Sequence, residues 1–193
     1  MLLNSLSILI MIIVESKRKK TEALKKTYPG AVIIDVTSHA KDEFVRLSPF
    51  YYHGGIPIPD SDEWYGGSVE GIWQGLKVFE REGVDIKTMH IRDMKNIKRT
   101  TRVHGPILGH RRGVTGGLMD YLTARQELYI PIYNWVLANR CQAEVEKIRQ
   151  LSEQGTVVLL DFETNCDPLD TSKPLSHASL IKAWIENTES DNH

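Results

Sequence analysis

Thr156-Val157-Val158-Leu159-Leu160-Asp161-Phe162-Glu163 is an aliphatic run that ends in carboxylates. It reads as a central strand, and it ties the rest of the chain to an α/β arrangement. Asp161, Glu163 and Asn165 alternate, so they share one face if the strand continues that far. The C-terminal ends of strands commonly border ligand sites in α/β proteins. Asp161 and Glu163 are therefore candidate substrate-binding residues.

The start of the chain supplies partners for such a strand. Met11 to Glu15 reads as a first strand and Thr21 to Thr27 as a short helix, stopped at Tyr28-Pro29-Gly30. Ala31 to Val36 is a β-branched run with the composition of a buried strand. The result is a β-α-β-like opening with a short connection. Residues 1–10 read as an N-terminal extension. They are apolar but precede the basic run Lys17 to Lys20, the reverse of a secretory signal, and the apolar stretch is too short for a membrane helix. The basic run itself is either a solvated helix entry or a phosphate contact.

The stretch from Trp64 to Phe79 reads as a loop that becomes a helix. Ser68 is a suitable N-cap, and Glu70 lies in the first turn, where the helix dipole favours a negative charge. Val69, Ile72, Leu76 and Phe79 recur at helical spacing on an apolar face. Glu70, Gln74 and Lys77 recur at i, i+4 and i+7 as a polar stripe. That stripe is either a solvated face or the floor of a pocket. Gly71 and Gly75 favour the pocket, because each costs about 1 kcal/mol in a helix unless something must approach the backbone closely. Trp64, Tyr65 and Trp73 crowd the same region and suit a wall that stacks on a flat ring.

Other segments add candidates. Leu47 to Pro59 is stiff and irregular and carries Phe50, Tyr51 and Tyr52, either core filler or rings held for a ligand. Residues 90–112 are basic, with Asp93 the only acid. Within them, Gly109-His110-Arg111-Arg112 resembles an anion loop in composition, since glycine amides can approach an anion and Arg offers a bidentate fork. The spacing is not that of a P-loop. A solvated basic face and a nucleic-acid surface are the competing readings. Gly117 to Arg140 is the longest helical region, with Pro131 expected to break it, kink it or start a second helix. Ala143 to Ser152 and Leu175 to Glu186 are further helices. His177 near the start of the last one is a capping or surface residue, or lines the site. Residues 187–193 form a polar tail.

The net charge of −1 gives no global case for nucleic acid or membrane binding. Two cysteines, Cys141 and Cys166, show no metal spacing and no disulfide framework, which fits a cytoplasmic location. Asn165 to Asp170 fails as a calcium loop because Pro168 stands where Gly is needed. No metal and no cofactor is expected. The reading is one helix-rich α/β (α+β) domain over residues 11–186, of open oligomeric state.

Ser48-Pro49-Phe50-Tyr51, then Trp64, then Glu70 through Gln74 to Lys77 and Phe79, resembles the NADAR family (NAD- and ADP-ribose-associated, YbiA-like). The resemblance covers about residues 46–163, with the β-α-β-like opening as an addition. It departs at the end, where the family's acidic residue followed by Trp-Gly has no counterpart in Asp161 to Asp167. The resemblance implies an N-glycosidase that hydrolyses a ribosyl C–N bond, ADP-ribosyl or phosphoribosyl. It implies Lys77 as the catalytic amine and Glu70 as its acid-base partner. Phe50, Tyr51, Trp64, Trp73, Gln74, Gly109, His110, Arg111, Arg112, Asp161 and Glu163 would bind the substrate. The partner would be a small nucleotide-derived molecule, or a nucleic acid carrying the modification. A binding module without turnover and a nucleic-acid-associated protein using residues 95–112 are the alternatives.

Overall fold

The computed structural model describes residues 11–190. The extension read at residues 1–10 lies outside the described residues, as does the end of the polar tail. In chain order the elements are β1 (Ile12–Ser16), α1 (Thr21–Thr27), β2 (Val32–Asp35), a 3-10 turn (Glu43–Leu47), β3 (Ile56–Pro57), β4 (Tyr65–Gly66) and α2 (Val69–Gly75). Then come β5 (Lys77–Phe79), α3 (Ile86–Met89), α4 (Thr101–His104), β6 (Ile107–Arg111), β7 (Leu118–Met119) and α5 (Tyr121–Ala124). A π-turn (Arg125–Tyr129), α6 (Ile130–Arg140), α7 (Gln142–Gln154), β8 (Val157–Asp161) and α8 (His177–Ser190) complete the chain. The fold is α+β, with helices packed on small sheets.

β8 is the central strand of a parallel sheet ordered β1-β8-β2. All five of its residues are buried. Val157 and Leu159 join the main core, while Val158 and Leu160 pack with Leu24 of α1 in a smaller one. Successive side chains thus enter opposite layers, as a strand's period of two requires. The opening strands belong to the same sheet as the late strand. They flank it on both sides.

Three expectations are corrected. The helix bearing Glu70 ends at Gly75, and Lys77 begins a strand. This helix is buried all round, so it has no solvated face. Gly117 to Arg140 is helical only from Tyr121 onward. Leu118-Met119 forms the strand β7, and the helical run from Tyr121 passes through the π-turn before Pro131 takes its place in the first turn of α6. Asn187 to Ser190, read as tail, is the last turn of α8. No helix among the described residues is long and apolar enough to cross a membrane. Cys141 and Cys166 are free thiols.

Gly71 and Gly75 exist for a packing reason. A Cβ on Gly75 would lie 2.4 Å from Met89 Cγ and 2.9 Å from the Asp85 carbonyl oxygen, and one on Gly71 would lie 3.2 Å from the Met89 and Thr88 carbonyls. The close neighbour is α3. This gives a test with a clear sign. Ala exceeds Gly in helix propensity by about 1 kcal/mol, so Gly75→Ala would stabilise an exposed helix. Here overpacking dominates, and Gly75→Ala is expected to lower the urea-derived stability by about 1–3 kcal/mol.

Candidate functional site

A cavity of about 440 Å³ opens at the C-terminal end of β8. Its sheet side carries Thr37, Ser38, Asp161, Phe162 and Glu163, with His177 at the start of α8. Its other side carries Glu70, Trp73 and Gln74 from α2, Lys77 from β5, and Phe50 with Lys98. Tyr121, Arg125 and Tyr129, from α5 and the π-turn, close a third wall. The site stands where the ends of parallel strands generally place ligands.

Glu70 enters the cavity because Ser68 caps α2, its hydroxyl accepting from the Gly71 amide at 3.0 Å. The Glu70 amide donates to the Pro49 carbonyl at 2.8 Å, which joins the Phe50 segment to the same helix. Gln74 Nε2 donates to Glu70 Oε1 at 2.9 Å, and Lys77 Nζ donates to Gln74 Oε1 at 3.1 Å. The three side chains predicted to share a helical stripe do converge, but by another route. Lys77 reaches Gln74 from the strand that follows the break in the helix at Gly75. Arg99 holds that break together. Its Nη1 donates to the carbonyls of Gln74 (3.0 Å) and Lys77 (2.7 Å), and its Nη2 to that of Gly83 (2.8 Å).

Burial sets the protonation of this strip. It lifts the Glu70 carboxyl above its ordinary range, against the Gln74 hydrogen bond and the charges of Lys98, Lys77 and His177. It pushes the Lys77 amine down, against the pull of Glu70, with Arg99 and Lys98 adding to the depression. A neutral acid and a neutral amine are the forms that burial favours.

The sheet side contains a buried ion pair. His177 Nδ1 lies 2.9 Å from Asp161 Oδ2, and His177 Nε2 lies 2.8 Å from the Val36 carbonyl. A carbonyl can only accept, so both ring nitrogens donate and the ring is an imidazolium. Burial opposes that charge, but the Asp161 carboxylate outweighs it and raises the His177 pKa. Burial alone would raise the Asp161 pKa; His177, Ser176 and the Ala178 amide together lower it. Of the two roles open to His177, the structure gives it the site. Glu163 lines the cavity with Asp161, whereas Asn165 has turned away to the carbonyls of Asp170 and Lys173.

Several expected substrate contacts lie elsewhere. Trp64 is exposed and does not line the cavity. Tyr51 packs on His53 and under the Arg46 guanidinium, because the loop turns only Phe50 inward. Gly109, His110 and Arg111 belong to β6, a strand rather than an anion loop. Gly109 lacks a Cβ because the Met119 carbonyl of β7 occupies that space. Arg111 donates to the Gly116 carbonyl, and Arg112 pairs with Asp60 and Glu127. The flat ring stacked on Trp73 is His110, with centroids 3.7 Å apart. The basic run near the N-terminus is likewise engaged: Lys17 pairs with Asp35 and Lys19 with Glu15. Trp73, Gln74, Phe50, Asp161 and Glu163 do line the cavity.

Sequence reasoning missed Arg125 and Tyr129. Arg125 is buried, and its guanidinium donates to the carbonyls of Pro168, Asp170 and Lys173, so it pins the loop leading to α8. A charged residue between the apolar positions Leu122 and Leu128 was the available signal. Tyr129 meets Trp73 edge-on at 5.4 Å. The π-turn brings it to the cavity, and nothing in the spacing announces a π-turn.

A family model described as a family of unknown function (DUF6939) matches residues 16–181, and the chain belongs to that family. No curated protein matches the chain.

His110 supplies a pH test. Both of its ring nitrogens are buried without a hydrogen-bond partner, and burial, with Lys77 adding, pushes its pKa down to about 3. Its ordinary value is 6.5, so below that pH the unfolded chain binds a proton that the fold refuses. Stability is therefore lost as pH falls from 6.5 towards about 3, and His53, pushed down to about 4 by burial, acts in the same direction. His110→Phe keeps the stack and removes two unpaired polar atoms. Urea titrations are expected to show it about 1–3 kcal/mol more stable than the wild type at pH 7, with a shallower loss towards acid.

Proposed function

We propose that this DUF6939 member is a hydrolase that cleaves a ribosyl C–N bond in a nucleotide-derived substrate. The observation that carries the reading is the Glu70–Gln74–Lys77 chain, a raised acid and a depressed amine in one cavity beside aromatic walls. The resemblance of Ser48 to Tyr51 and Glu70 to Lys77 to the NADAR family supports it. The cavity, about 440 Å³, is of a size that takes a small ligand.

Breaking the bond requires a proton on the leaving nitrogen and a nucleophile at the anomeric carbon. Glu70 in its acid form donates the proton. Lys77 as the neutral amine attacks the anomeric carbon as the C–N bond breaks, and the bonding electron pair leaves with the base. The resulting glycosylamine opens to a Schiff base. Water, deprotonated by the Glu70 carboxylate, adds to it, and collapse returns Lys77 and the free sugar. Phe50, Trp73 and Phe162 are aromatic residues of the lining beside which the leaving base would sit. Asp161, already neutralised by His177, is suited to holding a sugar hydroxyl more than to catalysis.

The test is product analysis. Wild-type protein, Lys77→Ala and Glu70→Ala are incubated with ADP-ribosylated guanine nucleoside, the corresponding DNA and a panel of phosphoribosyl amines, with and without borohydride. Mass spectrometry is expected to find free base and sugar phosphate with the wild type only, and a reduced adduct on Lys77. Release without an adduct would retain the hydrolase and remove the Schiff base. Tight ADP-ribose binding without release from any substrate would make the protein a binding module.

A further inference from the structure

We infer that Gln74 is a positioning residue: the Arg99 backbone amide locks its carboxamide in one orientation, and the locked carboxamide directs the Glu70 proton to Oε2, the oxygen open to the cavity. The inference rests on the reading of Glu70 as the acid, but its test does not need turnover.

A carboxamide can be turned over without changing its shape, so its orientation must come from its partners. The Arg99 amide can only donate, and it lies 3.2 Å from one terminal atom of Gln74, which is therefore the oxygen. Lys77 Nζ donates to that same oxygen. The nitrogen is then bound to face Glu70, and its N–H requires a lone pair on Oε1. In the acid form Oε1 is the carbonyl oxygen, and the proton sits on Oε2. Oε2 has no partner among the described residues and is not among the sealed, unpaired polar atoms, so it meets the cavity. The proton lies on the side from which a substrate would take it.

The arrangement does a second thing. An acid and an amine in direct contact exchange a proton and become an ion pair, which is useless as donor and nucleophile. Gln74 receives from Lys77 and gives to Glu70, and an amide passes no proton between them. It keeps the two groups connected but chemically apart. The Arg99 guanidinium holds the backbone on both sides of the Gly75 break, so the spacing does not relax.

The charged and titratable groups around Glu70 are Lys77 on β5, Lys98 before α4, His177 on α8 and Tyr129 on the π-turn. All of them persist when Gln74 is changed to Met, which keeps the volume and removes the carboxamide, both the N–H given to Glu70 and the oxygen that accepts from the Arg99 amide and Lys77. The carboxyl band of Glu70, assigned in the infrared by its loss in Glu70→Gln, is followed against pH. In Gln74→Met its midpoint is expected to rise by about one pH unit, because the N–H that stabilises the carboxylate is gone; the melting temperature is expected to fall, since the buried Arg99 amide loses its acceptor. A midpoint equal to the wild type's would overturn the proposal. If Gln74→Met does not fold, the wild type and Glu70→Gln answer together. The Gln74 carboxamide protons, observed by NMR with labelled glutamine, are expected to shift with the Glu70 midpoint and to lose that shift in Glu70→Gln. Carboxamide signals indifferent to Glu70 would overturn it. Either positive result stands even if no substrate is cleaved, so failure of the hydrolase reading is seen separately, in the product analysis.

Discussion

The carboxylate of Asp161 joins the central strand to the last helix. It ends the central strand inside the protein, where an unpaired charge would be very costly. The chain answers from three directions. His177 brings a full positive charge, Ser176 a hydroxyl at 2.7 Å, and the Phe162 amide a hydrogen bond at 2.7 Å. His177 also donates to Val36 just past β2. One buried charge thus fastens β8, the end of β2 and the start of α8 at a common point. The cavity opens there because a polar cluster at the strand ends cannot be filled by side chains of the core.

The opposite wall depends on a different economy. Arg99 spends its guanidinium on main-chain carbonyls and so is not available to a ligand. Arg125 behaves in the same way on the third wall. Both line the cavity, yet both serve as backbone staples. Lys98 differs. It has no ion pair among the described residues and lies over the Phe50 ring, so it is the cation of this wall still able to meet an anion. The basic character of residues 90–112 is therefore divided among structural, paired and free charges, a distinction that composition does not contain.

What could be read from the sequence follows the range of the interactions. The strands β1, β2 and β8, the helix α1 and the Ser68 cap depend on local pattern, and each appears where the pattern places it. Glu70 and Gln74 were legible because i, i+4 spacing on a helix is local. Lys77 was expected on that helix, and its return to Gln74 from a strand needs Arg99, which is distant in sequence. Trp64, Arg111 and Arg112 misled for the converse reason. Their residue types suit a ligand, but exposure in one case, and Asp60, Glu127 and Gly116 in the others, account for them.

The strand order β1-β8-β2 also has a temporal side. The two strands made first have no hydrogen bonds to each other and can join a sheet only through the strand made near the end. On the ribosome, the opening segment must wait with open edges and apolar faces until Val157 to Asp161 emerges. Contacts so remote in sequence slow folding, and waiting edges invite pairing with other chains. The same late strand supplies Asp161. The sheet and the cavity are thus completed together, and a chain interrupted before β8 has neither.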